Sequence, residues 1–211
     1  MSISTKQTAP SAPVGIPPRS GFEGLPTRIR DVRVGGVPPL VVESGALLAN
    51  GAIRQSLGEL ATKLAEIHRT AAEAWLSTGL YDQALPHLEA AATFSPRETE
   101  YQLQLGIVRY VMGDDAGAIN AFSATLAVDD SNADAWFNMG MVAFGQSEFT
   151  EAEDCFRRCC EIQPVDSQTW NNRGVCLWRL QRIEDARVCF QRAVRIDPKD
   201  QDAASNLANL C

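Results

Sequence analysis

Two imidazoles, six thiols and several paired acids are the groups in this chain that could do chemistry. His68 and His87 are its only histidines. A catalytic imidazole acts on a nucleophile or acid held within hydrogen-bond reach, and no recognisable arrangement of that kind surrounds either residue. The chain has no G-x-S-x-G elbow, no G-x-x-x-x-G-K-[ST] phosphate loop, no H-E-x-x-H metal pair and no G-x-G-x-x-G dinucleotide turn. Asp114/Asp115 and Asp129/Asp130 fall in predicted turns, where Asp is favoured because its carboxylate caps backbone amides. Cys155, Cys159, Cys160, Cys176, Cys189 and Cys211 invite a metal or disulfide reading, but C-x3-C-C is not a zinc-ligand spacing and neither His lies near it. Free Cys packs as a small buried hydrophobe. The expectation is no catalysis, no cofactor and no metal, with cysteines filling a core.

A different chemistry recurs at a fixed interval. Gln104, Asn138, Asn172 and Asn206 stand 34 residues apart. A primary amide offers one donor group and one acceptor, matching the N–H and C=O of an extended peptide. Phe137, Met141, Phe144, Val175 and Trp178 fall on the same predicted helices, and aromatics and Met anchor interfaces. Some of these five are expected in a groove and the others between units. One turn earlier runs a mostly acidic row, Glu66, Glu100, Asp134, Gln168 and Asp202. It reads either as negative charge complementing helix N-termini or as an acidic groove edge that favours basic peptides.

The elements that would carry these residues follow from the same period. Residues 133–166 and 167–200 superpose without a gap: Trp136 falls on Trp170, Gly140 on Gly174, Ala152 on Ala186, Phe156 on Phe190, Ile162 on Ile196 and Pro164 on Pro198. In each unit Trp136, Met139 and Ala143, then Phe149, Ala152, Phe156 and Cys159, mark two helical stripes. Gly145 is expected in the turn between them, and Pro164 closes the unit. Gly140 is expected to face Ala152, allowing close approach of the two helices. Counting back by 34 gives weaker units at 99–132 (Leu105, Gly106, Ala118, Phe122, Val128) and 65–98 (Ala71, Ala72, Trp75, Ala84, Leu88, Ala91, Pro96). Residues 201–211 begin a fifth unit that stops after one helix.

This pattern resembles the tetratricopeptide repeat family, W-x2-L-G-x2-Y…A-x3-F…P with a 34-residue period. The resemblance implies an all-α, right-handed helix-turn-helix repeat solenoid of four repeats with capping helices. It also implies that the first helix of each unit lines a concave face. The amide row is similar to the asparagine ladder in the superhelical repeats of O-GlcNAc transferase, so Gln104, Asn138, Asn172 and Asn206, with Phe137, Met141, Phe144, Val175 and Trp178, are the expected peptide-binding residues. Departures are Arg173 in place of Leu, and Ala143 or Leu177 in place of Tyr. A buried Arg needs a partner, so Arg173 is expected at the edge of the core. The clamp that some members use for acidic chaperone tails needs Lys and Asn where this chain has Arg69/Glu73 and Leu103/Ile107, which disfavours a heat-shock co-chaperone.

Residues 1–44 hold seven of the eleven prolines and are expected to be a disordered tail, with VRVGGVPPLVV as a possible docking segment for the protein's own groove or for a partner. In 45–64, Ile53, Leu57, Leu60 and Leu64 form an apolar stripe, read as a cap or a homodimerisation helix. The formal charge is −7; residues 1–44 carry five basic and three acidic groups, +2, which leaves −9 elsewhere and argues against nucleic acid. No apolar run reaches the roughly 18 residues of a membrane span, and no secretory signal is evident, so the expected location is cytoplasmic. The function expected is a non-catalytic adaptor that holds an extended segment of a protein partner. The alternatives are a chaperone or accessory protein of a bacterial, type III-like secretion system and a regulatory subunit of an enzyme complex.

Overall fold

The computed structural model describes residues 51–210. The expected tail at 1–44, the first residues of the 45–64 helix and Cys211 lie outside them. The described residues form nine α-helices and no strand. They belong to two compact units, one containing residues 51–95 and the other 96–210.

In the first unit α1 (Gly51–Leu76) pairs with α2 (Tyr81–Phe94). The 26 residues of α1 run unbroken through the expected boundary at 64/65, because no proline or turn residue interrupts them. Ala65, Ala72, Ala84, Leu88 and Ala91 are fully buried. Ile53, Leu57, Leu60 and Ile67 remain exposed on α1.

The second unit holds α3 (Thr99–Met112), α4 (Asp115–Val128), α5 (Ala133–Gly145), α6 (Phe149–Ile162), α7 (Ser167–Arg179), α8 (Ile183–Ile196) and α9 (Gln201–Ala208). Helices adjacent in sequence are packed together, and α3 also touches α5, as α7 touches α9. Asn132, Asp166 and Asp200 cap α5, α7 and α9, each side chain accepting the backbone N–H three residues on. The indole of Trp136 donates to the Asp130 carbonyl at 2.9 Å, and that of Trp170 to the Pro164 carbonyl at 3.1 Å. Both bonds pin the loop between one hairpin and the next.

Inside each hairpin a glycine lies under a phenylalanine ring. A Cβ added to Gly140 would stand 2.8 Å from Phe156 Cε1, and one on Gly174 2.5 Å from Phe190 Cε1; Gly106 meets Phe122 in the same way. The partner of Gly140 is therefore Phe156, not Ala152 as expected. Ala152 belongs to the surrounding cluster with Met141, Ala143, Phe156 and Cys176. In the first unit the equivalent positions, counted back by 34, are Ala72 and Leu88, both fully buried. A larger residue on one helix is matched by a smaller one on the other.

The inner turns do not rest on Gly145, which is the last residue of α5. The left-handed position is instead Gly79 (φ 73°), Gly113 (φ 88°), Ser147 (φ 65°) and Gln181 (φ 63°), again at intervals of 34. Glycine takes this conformation freely, whereas a side chain meets the following carbonyl.

Arg173 is half-buried, at the margin of the core as expected. Its Nε donates to Glu153 Oε1 of α6 at 2.7 Å, with the side chains 20% and 9% exposed, and its guanidinium lies 5.7 Å from the Trp170 ring centroid. The cation finds a buried anion in the preceding hairpin.

Two predictions follow from these contacts. Arg173→Leu leaves the Glu153 carboxylate buried and uncompensated, and should lower stability by about 2 kcal/mol, below the usual cost of breaking a fully buried pair because Arg173 keeps some solvent. Arg173→Leu/Glu153→Leu should recover most of that loss in urea denaturation; an equal loss would assign the effect to packing rather than charge. Gln181→Gly should raise stability by about 0.5 kcal/mol, relief of left-handed strain offset by added chain entropy. Gly113→Ala, where no atom crowds a Cβ, should lower it by about 1 kcal/mol, and a rise would sink the argument.

Candidate functional site

A cleft of about 460 Å³ opens between the first helices of successive hairpins in the second unit. Helix α3 contributes Leu103 and Ile107; α5 contributes Asp134, Phe137 and Asn138. Cys159 and Gln163 come from the end of α6, and Asp166, Gln168 and Thr169 from the start of α7. The residues from α3 and α5 share a face because they are three or four positions apart. Phe137 is fixed edge-on against Phe156, with ring centroids 5.6 Å apart.

The cleft is apolar at its α3 side and acidic toward α7. Among the described residues, its charged lining residues are Asp134 and Asp166, with no Lys, Arg or His. Asp166 is held in place by the Thr169 backbone N–H at 3.1 Å and by the Thr169 hydroxyl. Thr169 is fully buried, and its hydroxyl also lies 3.5 Å from Cys159 Sγ. Asp134 is exposed, so its carboxylate is open to the cleft. Gln168 Nε2 is occluded and has no hydrogen-bond partner among the described residues. An occluded orphan donor is unfavourable, and a small rotation toward a carbonyl in the cleft would relieve it.

Of the nine residues expected to bind peptide, Phe137 and Asn138 line this cleft. The amide row is not an open ladder. Asn138, Asn172 and Asn206 are 7%, 0% and 6% exposed. Asn138 Nδ2 donates to the Asp134 carbonyl at 2.8 Å, and Asn206 Nδ2 to Asn171 Oδ1 at 2.9 Å. Asn172 Nδ2 lies 3.9 Å from Met141 Sδ, and its Oδ1 has no partner among the described residues. Gln104 is half-buried and donates to Glu100 Oε1 at 2.7 Å. Met141 and Val175, 5% and 1% exposed, are core. Phe144 and Trp178 are half-buried and pack between hairpins, Trp178 beside Leu207 and Leu210 of the last segment.

Asp166, Gln163 and Cys159 lie outside the first helices to which the expectation confines the groove, whereas Thr169 is on the first helix α7 but not among the expected residues. The end of α6 and the cap of α7 also reach the cleft. The N-cap position of Asp166 was a legible signal.

The two imidazoles face each other in the first unit. His68 Nδ1 lies 3.0 Å from His87 Nδ1, so one ring donates to the other, and His68 is stacked on Phe94 with centroids 5.9 Å apart. Burial, and then the charge of His87, lowers the His68 pKa. Cys155, Cys159, Cys160, Cys176 and Cys189 are free and buried. Burial pushes the Cys155 and Cys189 thiols up to about 11 and raises those of Cys159, Cys160 and Cys176. They are protonated thiols at neutral pH, poor as nucleophiles or ligands. Among the described residues no group of three or more His, Cys, Asp or Glu is placed to hold a metal ion, and no helix is long and apolar enough to cross a membrane.

Comparison with known proteins places this geometry. The tetratricopeptide repeat model matches residues 133–165 and 167–200. No curated protein matches the chain in sequence. Among solved structures, MamA 41-end from Desulfovibrio magneticus RS-1 is similar at TM-score 0.66 and 21% identity, covering 70% of this chain and 83% of that one. YrrB, described as a TPR protein with an unusual peptide-binding site, is similar at TM-score 0.61 and 20% identity over 73% of this chain and 79% of its own. The first TPR of Spaghetti (RPAP3), bound to the HSP90 peptide SRMEEVD, is similar at TM-score 0.52 and 18% identity over 54% and 90%. At these identities the likeness is one of fold. Two stretches of the chain thus match the tetratricopeptide repeat, and the same kind of hairpin recurs at 34-residue intervals through α3–α9.

Proposed function

We propose that the protein is a non-catalytic interaction module that holds an extended segment of a protein partner in the cleft between α3, α5 and α7. The observation that carries this reading is the cleft itself. It is a concavity of about 460 Å³ that joins an aliphatic and aromatic side to two carboxylates. An extended peptide presents side chains alternately to either face and leaves its backbone groups free. Leu103, Ile107 and Phe137 would take apolar side chains, Asp134 would take a cation, and Gln168 would meet a backbone carbonyl. Asn138 sits at the cleft wall but is already bonded to its own helix, so its part is to shape the wall.

The charge separates this site from that of the RPAP3 domain. The peptide SRMEEVD in that complex carries three acidic side chains against one arginine. A cleft whose described lining carries Asp134 and Asp166 and no cation would repel such a ligand. The chemistry favours basic segments.

A second reading rests on the exposed stripe Ile53, Leu57, Leu60 and Ile67 of α1. Its spacing of four, three and seven residues suits a partner helix, and a second copy of the chain would cover it. Sedimentation of the wild type should give a dimer that Leu57→Glu/Leu60→Glu turns into monomer; a monomeric wild type at 100 μM or so, weaker than any specific interface of use, would dispose of it.

For the main reading, the full chain would be used to select binders from a phage-displayed peptide library. Enrichment by wild type should fall at least about tenfold, some 1.4 kcal/mol, with Asp134→Lys and again with Phe137→Ala, both checked for fold by circular dichroism. Enrichment unchanged by both substitutions would remove the cleft from the function.

A further inference from the structure

We infer that His68 and His87 form a two-imidazole site for a late first-row divalent transition ion, Ni(II) or Cu(II) in type, which clips α1 to α2.

The two rings are the chain's whole stock of imidazole, and they come from helices packed against each other in the first unit. Their Nδ1 atoms stand 3.0 Å apart. As a hydrogen-bonded pair, one ring donates its Nδ1 proton to the other. The same spacing is that of two neighbouring ligands on one ion. With metal–nitrogen bonds of about 2.0–2.1 Å, nitrogens 3.0 Å apart subtend about 95° at the metal. That angle suits the square-planar or tetragonal preference of Cu(II) and Ni(II). The tetrahedral angle of Zn(II) would need the nitrogens about 3.3 Å apart. Imidazole is a favoured donor for these ions and a poor one for Mg(II) or Ca(II), which take oxygen.

The surroundings agree with this reading. Both rings are half-buried, so water reaches the ion and can fill the positions that two imidazoles leave open. Phe94 of α2 stacks on His68 with centroids 5.9 Å apart and holds that ring against the second helix. The histidine centroids are 5.2 Å apart, which places the two rings nearly end to end. To aim both lone pairs at one ion, each ring turns by roughly 40° about its Cβ–Cγ bond, a torsion whose well is broad. The shared proton moves to Nε2 of the ring that held it. Burial, and then the charge of His87, lowers the His68 pKa, so protons compete little for its nitrogen at neutral pH.

The consequence is mechanical. The α1–α2 hairpin is packed through Ala72 and Leu88, without the ring-on-glycine contact that closes the hairpins of the second unit. An ion shared by its two helices adds a cross-link. The folded hairpin holds both ligands together and the unfolded chain does not, so binding stabilises the fold.

The test uses the untagged full chain, with its thiols kept reduced, titrated with Ni(II) at neutral pH by calorimetry while the histidine ring signals are followed by NMR. Uptake of Ni(II) should broaden both histidine signals together and raise the melting midpoint read by circular dichroism. His68→Ala and His87→Ala should each weaken binding at least about tenfold and remove the rise in midpoint. Should an alanine variant misfold, His68→Gln or His87→Gln takes its place. Zn(II) should bind more weakly than Ni(II), and Mg(II) should leave the signals unmoved. Absence of Ni(II) uptake by the wild type would reduce the pair to a hydrogen bond and overturn the site. Uptake indifferent to both substitutions would put the ion on thiols or carboxylates elsewhere and overturn it equally. Zn(II) binding more tightly than Ni(II) would overturn the right-angle geometry, and the class of ion with it.

Discussion

The contact of a phenyl ring with the bare backbone of a glycine sets the spacing of the helices in this protein. With Phe122, Phe156 and Phe190 over Gly106, Gly140 and Gly174, the two helices of each hairpin approach until the ring lies where a Cβ would be. The ring is fully buried as a result, which is worth about 2 kcal/mol or more per side chain. A methyl group on the glycine would force the ring aside, because a packed interior has no slack to absorb it. The first unit solves the same packing problem with Ala72 and Leu88. What is held constant is summed volume across the hairpin, and the glycine is one way of meeting it.

From that spacing the cleft follows. Once each hairpin is closed by its ring, the faces of α3, α5 and α7 that do not meet their own second helix are left for other uses. The loops between hairpins fix how far apart those faces stand. The Trp136 and Trp170 indoles bond the loop carbonyls of Asp130 and Pro164, and Asn132 and Asp166 close the helix starts. Asp166 does both jobs, since the carboxylate that caps α7 is also in the cleft lining. Its place is dictated by the fold before any ligand is considered.

The helices, their pairing and the repeat were legible because they depend on residues that recur at the same position: Gly140 and Gly174, Phe156 and Phe190, Pro164 and Pro198. What does not recur is harder to place from spacing. Arg173 looked like a misfit because its partner, Glu153, lies on the preceding hairpin, where the positions one period away are Ile119 and Arg187. The left-handed turn at Ser147 and Gln181 was invisible because the residue type that marks it, glycine, is present only at Gly79 and Gly113. The amide row recurs faithfully, yet recurrence does not distinguish a ligand contact from an internal one. Asn138 bonds to its own helix and Asn206 to Asn171, and depth below the surface is not encoded in spacing.

This separation has a consequence for specificity. Residues that close the hairpins are constrained by volume and cannot vary freely, whereas Asp134 and Ile107 are partly or wholly exposed and touch the cleft. Changing such residues alters charge and shape at the ligand without disturbing the ring-on-glycine contact. Met141 and Val175 lack that freedom, being buried between hairpins. The scaffold can therefore be retuned from an acidic to a basic ligand by a few surface exchanges. Under the proposed reading, the two carboxylates in the described lining favour a basic ligand. The fold accounts for the existence of the cleft, and exposed side chains such as Asp134 set the charge it presents.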